Sequence, residues 1–159
     1  MKRIAFLLFI AVLLAGCSSV PYSEISGPYQ KIVELGKTKA DIFNSSMQWV
    51  AQSFKSAKAV IQYSDKESGI INGNGTATAE FGGIGPTTLS YKFIFEIKDN
   101  KSRITFSEVM PVFDNSSSGR MAAGMTHGIG NNQWPRFTEW ADNIINDYAR
   151  FVKSNNSDW

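Results

Sequence analysis

Residues 87–98, TTLSYKFIFEIK, carry the clearest alternation of apolar and polar side chains in the chain. Five apolar residues share one face of this stretch: Leu89, Tyr91, Phe93, Phe95 and Ile97. Polar residues take most of the positions between them, with Ile94 as the exception. Successive side chains of a strand point to opposite faces of a sheet, so the alternation predicts a strand with one buried and one wet face. This pattern is typical of an antiparallel sheet whose helices lie on a single side.

The stretch continues into a predicted hairpin. Residues 99–101 (DNK) have the composition of a tight turn. Residues 102–110 then predict the returning strand, with Ile104 and Phe106 inward and Arg103, Thr105 and Ser107 outward. Three further strands are predicted at residues 30–35, 59–63 and 70–81.

Two helices are predicted at residues 37–57 and 134–153, because apolar residues recur there at steps of three and four. The stripe of the first helix comprises Phe43, Met47, Val50, Phe54 and Ala57, widened by Ile42 and Trp49. The stripe of the second comprises Phe137, Trp140, Ala141, Ile144, Ile145, Tyr148, Phe151 and Val152. The order is strand, helix, four strands, helix. We therefore expect an α+β domain, with an antiparallel sheet of about five strands and two helices on one face.

Several stretches of residues 30–110 resemble the bacterial domain of unknown function 4468. They are the first strand ending at Gly36, the helix opening KTKADIF at residues 37–43 with Trp49 and Phe54 beyond it, GIING at residues 69–73, and YKFIFEIKD at residues 91–99. The resemblance implies a TBP-like fold in the order β-α-β-β-β-β-α. It supplies no activity, and the name TBP-like describes shape, which does not carry DNA binding with it.

The amino terminus predicts secretion. Lys2 and Arg3 precede an apolar run at residues 4–14, and the small residues Ala15 and Gly16 precede Cys17. These are the parts of a secretory signal, and the run is shorter than the roughly 20 residues of a spanning helix. Residues 14–17 (LAGC) also resemble the lipobox of bacterial lipoproteins. That resemblance implies acylation of Cys17, with chains such as palmitate; the alternative is an ordinary signal peptide with an incidental cysteine.

These features predict a domain organisation and a location. Residues 1–16 form the signal peptide, residues 17–29 the lipidated cysteine and a tether, and residues 30–156 a single domain. Two or more acyl chains hold a protein firmly to a membrane. Ser18, not Asp, follows Cys17, which in lipoproteins of diderm bacteria implies an outer-membrane lipoprotein, here expected to face the periplasm. Monoderm bacteria use the same lipobox.

Composition excludes some partners. The chain has 16 Lys and Arg against 14 Asp and Glu, and Lys2 and Arg3 leave with the signal, so the mature charge balances. Without a basic bias, we expect no nucleic-acid partner. The only cysteine in the sequence is Cys17, so no intramolecular disulfide can form.

Residue types for catalysis are scarce. His127 is the single histidine in the sequence and has no neighbouring carboxylate in its glycine-rich surroundings, so we expect neither a nucleophile–histidine pair, nor a metal site, nor a cofactor. The glycine-rich residues 73–78 and 82–86 lack a phosphate-binding motif, and we interpret them as bulges or turns between strands. Five carboxylates could supply an acid pair for glycoside cleavage only if the fold joins two of them: Asp65, Glu67, Glu80, Glu96 and Glu108.

Residues 114–133 form the longest irregular segment. Five of its residues have no helical or strand period that would bury them: Arg120, Met121, Met125, His127 and Ile129. Such a segment predicts an interaction loop, and a disordered insertion is the alternative. Two function classes follow. One is a non-enzymatic binding module that uses the wet sheet face or this loop to meet an envelope protein or glycan. The other is a small hydrolase of envelope polymers.

Overall fold

The computed structural model describes residues 27–53, 60–83, 85–112 and 133–155. Its elements in chain order are β1 (Tyr29–Glu34), α1 (Lys39–Ser53), β2 (Val60–Asp65), β3 (Ile70–Gly83), β4 (Gly85–Lys98), β5 (Lys101–Pro111) and α2 (Gln133–Ser154). The strands form one antiparallel sheet in the order β1-β5-β4-β3-β2. The predicted α+β architecture is confirmed.

The sheet order makes α1 the crossing element of the fold. Strands β2 to β5 run as a meander, whereas β1 pairs with the last strand, β5. The chain therefore travels from one edge of the sheet to the other between β1 and β2, and α1 lies on that path. Both helices pack on the same side of the sheet, which we call the inner face; the opposite side is the outer face.

The inner face is built from the alternation seen in residues 87–98. Its five apolar residues on β4 are all buried: Leu89, Tyr91, Phe93, Phe95 and Ile97. Phe95 contacts both helices, with its ring centroid 5.0 Å from that of Tyr148 and 6.1 Å from that of Trp49. Aromatic rings at such separations add to the free energy gained by burying their area. The face assignment of β4 is thus confirmed.

The buried stripe of α1 is centred differently from its prediction. Ile42 and Trp49, expected at the margin of the stripe, are its most buried apolar residues at 0% and 1% exposure, whereas Met47 is only partly buried. Ser46 is also fully buried: its hydroxyl donates to the carbonyl of Ile42 (2.6 Å) and lies 2.8 Å from the hydroxyl of Tyr148. A hydroxyl satisfied in this way can occupy a core position at little cost. The predicted stripe residues Phe54 and Ala57 lie outside the described residues.

The second helix keeps the predicted face. The residues it buries recur at steps of three and four: Phe137, Ala141, Ile145, Tyr148 and Val152. Trp134, Trp140, Ile144 and Phe151 pack around them as partly buried residues.

The turn between β4 and β5 holds the start of α1. Asn100 adopts a left-handed conformation (φ 68°), and its carbonyl accepts hydrogen bonds from the amides of Leu35 (2.6 Å) and Gly36 (3.1 Å). The carboxylate of Asp99 accepts the amide of Lys39 (2.8 Å), one of the first-turn N–H groups that a helix cannot satisfy itself. The hairpin turn therefore acts as a cap for a helix that lies 60 residues earlier in the chain.

The start of α1 also carries its own cap. Asp41 donates its amide to the hydroxyl of Thr38 (3.2 Å), and that hydroxyl donates to the carboxylate of Asp41 (2.7 Å). Both hydrogen bonds use the spacing of a capping box.

One carboxylate fastens the edge strand β1 to α2. Asp142 accepts a hydrogen bond from the hydroxyl of Tyr29 (2.6 Å) and forms an ion pair with Lys31. The hydrogen bond and charge of Lys31, followed by the hydrogen bond from Tyr29, lower the pKa of Asp142. Burial together with this anionic neighbour raises the pKa of Tyr29 to about 12.

A bulge in β5 resets which residues face the core. The register shifts opposite residues 90–92, where Glu108 adopts a positive φ of 50°. Phe106 and Val109 are both buried although three positions separate them, and Glu108 between them is exposed. An extra residue in one strand allows this change of parity.

Gly73 and Gly75 do not form a turn, so that part of the interpretation is wrong for them, but Gly73 lies opposite the point where the β2–β3 register shifts between Ile61 and Tyr63. Both glycines lie in the middle of β3, where residues 70–79 pair with β4 without interruption. Gly75 faces Tyr91 so closely that a Cβ there would lie 2.6 Å from the phenol ring. For residues 82–86 the interpretation fits, because the β3–β4 register shifts between Ala79 and Gly83.

We predict that Gly75→Ala destabilises the domain by about 1–3 kcal/mol, the usual cost of overpacking a filled core. Gly27→Ala is the matched control, because a Cβ there meets nothing within 4 Å. Chemical denaturation of the two variants and the wild type measures the difference. Equal stability of the Gly75→Ala variant and the wild type would contradict the close approach of Tyr91.

Candidate functional site: the outer face of the sheet

The outer face is the broadest surface that the described helices leave uncovered. Cross-strand register places one row of its residues in the order Ile32, Arg103, Glu96, Ile70 and Asp65, from β1 to β2. Both α1 and α2 lie on the inner face, so within the described ranges no helix covers these residues. Because the aromatic residues of β4 alternate toward the inner face, the residues on the outer face are mainly polar.

Two ion pairs join β4 to β5 on this face. Arg103 donates to both carboxylate oxygens of Glu96, through Nε to Oε2 (2.6 Å) and through Nη2 to Oε1. Lys92 donates to Glu108 (2.7 Å), which the β5 bulge turns outward. The pairs are between about a third and two thirds exposed, so water screens them and their effect on stability is small.

The paired guanidinium controls the charge state of its partner. Hydrogen bonding from Arg103 is the main cause that lowers the pKa of Glu96, and the same bond raises the pKa of Arg103. Both groups therefore stay charged across the neutral range, with their hydrogen-bonding geometry set before a partner arrives.

Large apolar side chains on this face are separate from one another. Ile32 on β1 is 58% exposed, Tyr63 on β2 is 50% exposed and Met110 at the end of β5 is 42% exposed. Ile94, near the centre of the face, is partly covered. The apolar groups thus lie at the rim, around a polar centre.

The face is shallow. Three depressions on it have volumes of about 220, 260 and 180 Å³. The first is lined by Ile32, Glu96, Lys98, Lys101 and Arg103. Sites that enclose a small molecule usually measure roughly 300–1,000 Å³. The shape therefore suits contact with a macromolecular surface better than enclosure of a small ligand.

Three of the five candidate carboxylates are engaged by other groups. Glu96 and Glu108 each bind a cation, and the carboxylate of Asp65 accepts the amide of Glu67 within its own turn (2.9 Å). Hydrogen bonds from Ser68 and Glu67 lower the pKa of Asp65, as Arg103 does for Glu96. A general acid needs a raised pKa. Among the described residues, no group of three His, Cys, Asp or Glu side chains could hold a metal ion.

The predicted outward residues of β5 have different environments. Arg103 is exposed and Ser107 half-buried, whereas Thr105 is only 9% exposed. Gln30 of β1 donates to the hydroxyl of Thr105 (3.0 Å) and covers it. The prediction that Thr105 is wet is therefore wrong, because the edge strand β1 supplies a neighbour that local alternation could not show.

The other predicted site residues lie outside the described residues: Cys17, Arg120, Met121, Met125, His127 and Ile129. Sequence reasoning also missed Ile32 and the Lys92–Glu108 pair. Alternation within residues 30–35 could have indicated which face Ile32 takes. No local signal announces the bulge that turns Glu108 outward.

Comparison with known proteins identifies two matches along the chain. Residues 29–110 match the family model described as a domain of unknown function (DUF4468) with TBP-like fold. Residues 1–18 match the prokaryotic membrane lipoprotein lipid attachment site. Both resemblances inferred from the sequence are confirmed, and the chain carries the attachment signal of a membrane-anchored lipoprotein. No protein of curated function matches it.

Two solved structures share the fold. A TBP-like protein from Parabacteroides distasonis is 17% identical, with a TM-score of 0.63 over 86% of this chain and 98% of that one. A DUF4468 family protein from Bacteroides ovatus is also 17% identical, with a TM-score of 0.64 over 87% of this chain and 92% of that one. No helix among the described residues is long and apolar enough to cross a membrane.

We predict that Arg103→Gln raises the pKa of Glu96 toward its ordinary value, because the main cause of the lowering is removed. Lys92→Gln is the control, since Lys92 binds Glu108. Carboxyl NMR titration reports the change. A lowered pKa means that the pair stabilises the fold above the unfolded-state pKa and loses this effect as pH falls through the folded-state pKa. An unchanged Glu96 titration in the Arg103→Gln variant would contradict the assignment.

Proposed function

We propose that this chain, which belongs to the DUF4468 family of domains of unknown function with a TBP-like fold, is an envelope lipoprotein whose domain works as a non-enzymatic binding module. The observation that carries the proposal is the outer face: a broad, shallow surface with preset charges at its centre and apolar groups at its rim. A surface this shallow suits contact with a macromolecule better than enclosure of a small ligand.

The anchor in this proposal is Cys17. Its thiol and the new amino terminus would carry fatty acyl chains such as palmitate, which together hold a protein firmly to a bilayer. Ser18 in place of an aspartate favours the outer membrane, with the domain facing the periplasm. The residues between Cys17 and the start of β1 at Tyr29 then set the working distance.

The partner class follows from charge and location. With Lys2 and Arg3 removed, acidic and basic residues balance. On the outer face Lys92 and Arg103 bind carboxylates, and Lys98 and Lys101 line the depression beside Arg103. A polyanion such as nucleic acid would have to displace those carboxylates. An envelope protein or glycan, which offers neutral hydrogen-bonding groups, fits this surface better.

A hydrolase that uses carboxylates is the second candidate. It requires one carboxyl group with a raised pKa close to a second carboxylate. The engaged states of Asp65, Glu96 and Glu108 support the binding proposal over this one. The predicted loop of Arg120, Met121, Met125, His127 and Ile129 remains a proposed second contact surface.

We predict that Cys17→Ser abolishes lipidation and leaves the precursor with its signal attached, because the cysteine thiol is acylated before the signal is cleaved in lipoprotein processing. Metabolic labelling with a fatty-acid analogue measures the outcome, with Ser19→Ala as the control that leaves residues 14–17 intact. Equal label in the Cys17→Ser variant and the wild type would overturn the lipoprotein anchor.

We further predict that a photo-crosslinking amino acid at Arg103 or Ser107 captures an envelope partner, whereas one at Glu139, exposed on α2, does not. The cells carry the full lipidated protein. Replacing residues 115–131 with a brief Gly-Ser link tests the loop separately, because partner capture should fall if the loop shares the contact.

Two outcomes would count against the binding module. Capture at Glu139 equal to that at Arg103 would reject the outer face as the specific surface. Release of soluble fragments from purified envelope polymers by the wild-type domain, lost on Glu96→Gln, Glu108→Gln or His127→Ala, would overturn the non-enzymatic proposal.

A further inference from the structure

The free edge of β1 is regular along its whole length. All six residues of β1 pair with β5 in one unbroken register, from Tyr29 with Phe106 to Glu34 with Lys101. The opposite edge strand, β2, shifts its register between Ile61 and Tyr63. Bulges of this kind blunt a sheet edge against further pairing. Of the two edge strands, β1 is therefore the one whose regular backbone can pair with another strand.

The backbone groups on that edge can be assigned from the hydrogen bonds. The amide of Leu35 donates to the carbonyl of Asn100 in continuation of the β1–β5 register. In an antiparallel pair, hydrogen-bonded and non-bonded positions alternate. Odd-numbered residues of β1 thus point their N–H and C=O groups at β5. Those of Gln30, Ile32 and Glu34 point outward, and no described strand pairs with them.

We propose that β1 pairs antiparallel with β1 of a second copy of this chain, centred on Ile32, and joins two five-stranded sheets into one of ten strands. In this register Ile32 lies opposite Ile32 of the partner subunit, and Gln30 lies opposite Glu34 of the partner subunit, on both sides of the two-fold axis. The outward backbone groups of these three residues form reciprocal hydrogen bonds.

Side-chain chemistry selects this register over its neighbours. The inner faces of the two sheets lie on the same side of the joined sheet only if the two-fold axis passes through a residue and not between two residues. A centre at Lys31 would place two lysines directly opposite each other, and like charges at such positions are destabilising. A centre at Val33 would place Ile32 opposite a glutamate. Only the centre at Ile32 joins its apolar side chain, 58% exposed in one copy, to another apolar side chain.

The charge on β1 is already neutralised. An inward-pointing lysine on an edge strand normally opposes strand addition, because pairing would bury its charge. Here Lys31 binds Asp142, which also accepts the hydroxyl of Tyr29. The two charges can be covered together, so this lysine does not block the edge.

The proposed membrane anchor suits the pairing. In the register centred on Ile32, the two Tyr29 residues are about 20 Å apart along the paired strands, since a strand rises roughly 3.4 Å per residue. Each tether can then reach the same bilayer when the strands run parallel to its surface. Confinement to one membrane raises the effective concentration of the copies, so a short edge contact can suffice.

Cysteine crosslinking of the full lipidated chain tests both the contact and its register. Under copper-phenanthroline oxidation in membranes, Ile32→Cys should form a disulfide-linked dimer. Gln30→Cys and Glu34→Cys should crosslink when co-expressed and not when either is alone. Tyr63→Cys on the β2 edge and Arg150→Cys on α2 are matched exposed controls, and the wild type controls for Cys17. Acyl labelling of the same samples checks the anchor independently.

Proline substitution separates pairing from folding. Ile32→Pro removes an N–H that makes no hydrogen bond within the sheet, so the circular dichroism spectrum should be retained. When Ile32→Pro is introduced into the co-expressed Gln30→Cys and Glu34→Cys chains, their crosslinking should fall to the control level. Lys31→Pro removes an N–H bonded to β5 and should unfold the domain at lower denaturant. Asp142→Asn leaves Lys31 uncompensated and should also reduce crosslinking. Ile32→Cys crosslinking no greater than Tyr63→Cys, or dimers from Gln30→Cys alone, would overturn the proposal.

Discussion

Contact between the aromatic face of β4 and the two helices determines where the other elements can lie. Phe95 is the point at which that contact is closest, since its ring meets Tyr148 of α2 and Trp49 of α1 together. Because β4 is the central strand, its flanking strands share the same buried surface, and β1 and β2 complete the sheet at the margins. A large ring on one strand needs a small residue opposite it on the neighbouring strand, which explains Gly75 opposite Tyr91. Because the interior is close-packed, the size of the residue at either position limits the size of the residue at the other.

The stretches that carry the family resemblance meet at one corner of the domain, and their roles there are structural. Asp99 caps α1, and Asn100 binds the connection between β1 and α1. Gly69 adopts a positive φ of 75° where a Cβ would lie within 2.4 Å of the carbonyl of Ile97. These residues bring together segments that lie far apart in the chain. A family can therefore have a recognisable sequence pattern that reports how its sheet and helix are joined.

The surfaces that remain after folding are those of an open sheet. Two helices cover one face, and no element among the described residues packs on the other face or pairs with the free side of β1. Four charges on the outer face are paired across strands, Glu96 with Arg103 and Lys92 with Glu108. These pairs hold hydrogen-bonding groups in set positions. Recognition by such a surface depends on shape and on the order of its side chains, since its depressions are too small to enclose a ligand.

Local periodicity was sufficient to determine the order of elements and the inward face of β4 and α2. The attachment signal before Cys17 was recognisable from its resemblance to the lipobox. All of these features depend only on neighbours along the chain. Contacts between distant segments decided the rest. Thr105 is covered because Gln30 of β1, 75 residues earlier in the chain, lies beside it. Ser46 is buried because Tyr148 of another helix supplies a hydroxyl partner. Pairing of Glu108 with Lys92 of the neighbouring strand follows from the bulge at Glu108 in β5. Spacing along one segment cannot encode which distant segment will lie beside it, so the outer face required the tertiary structure.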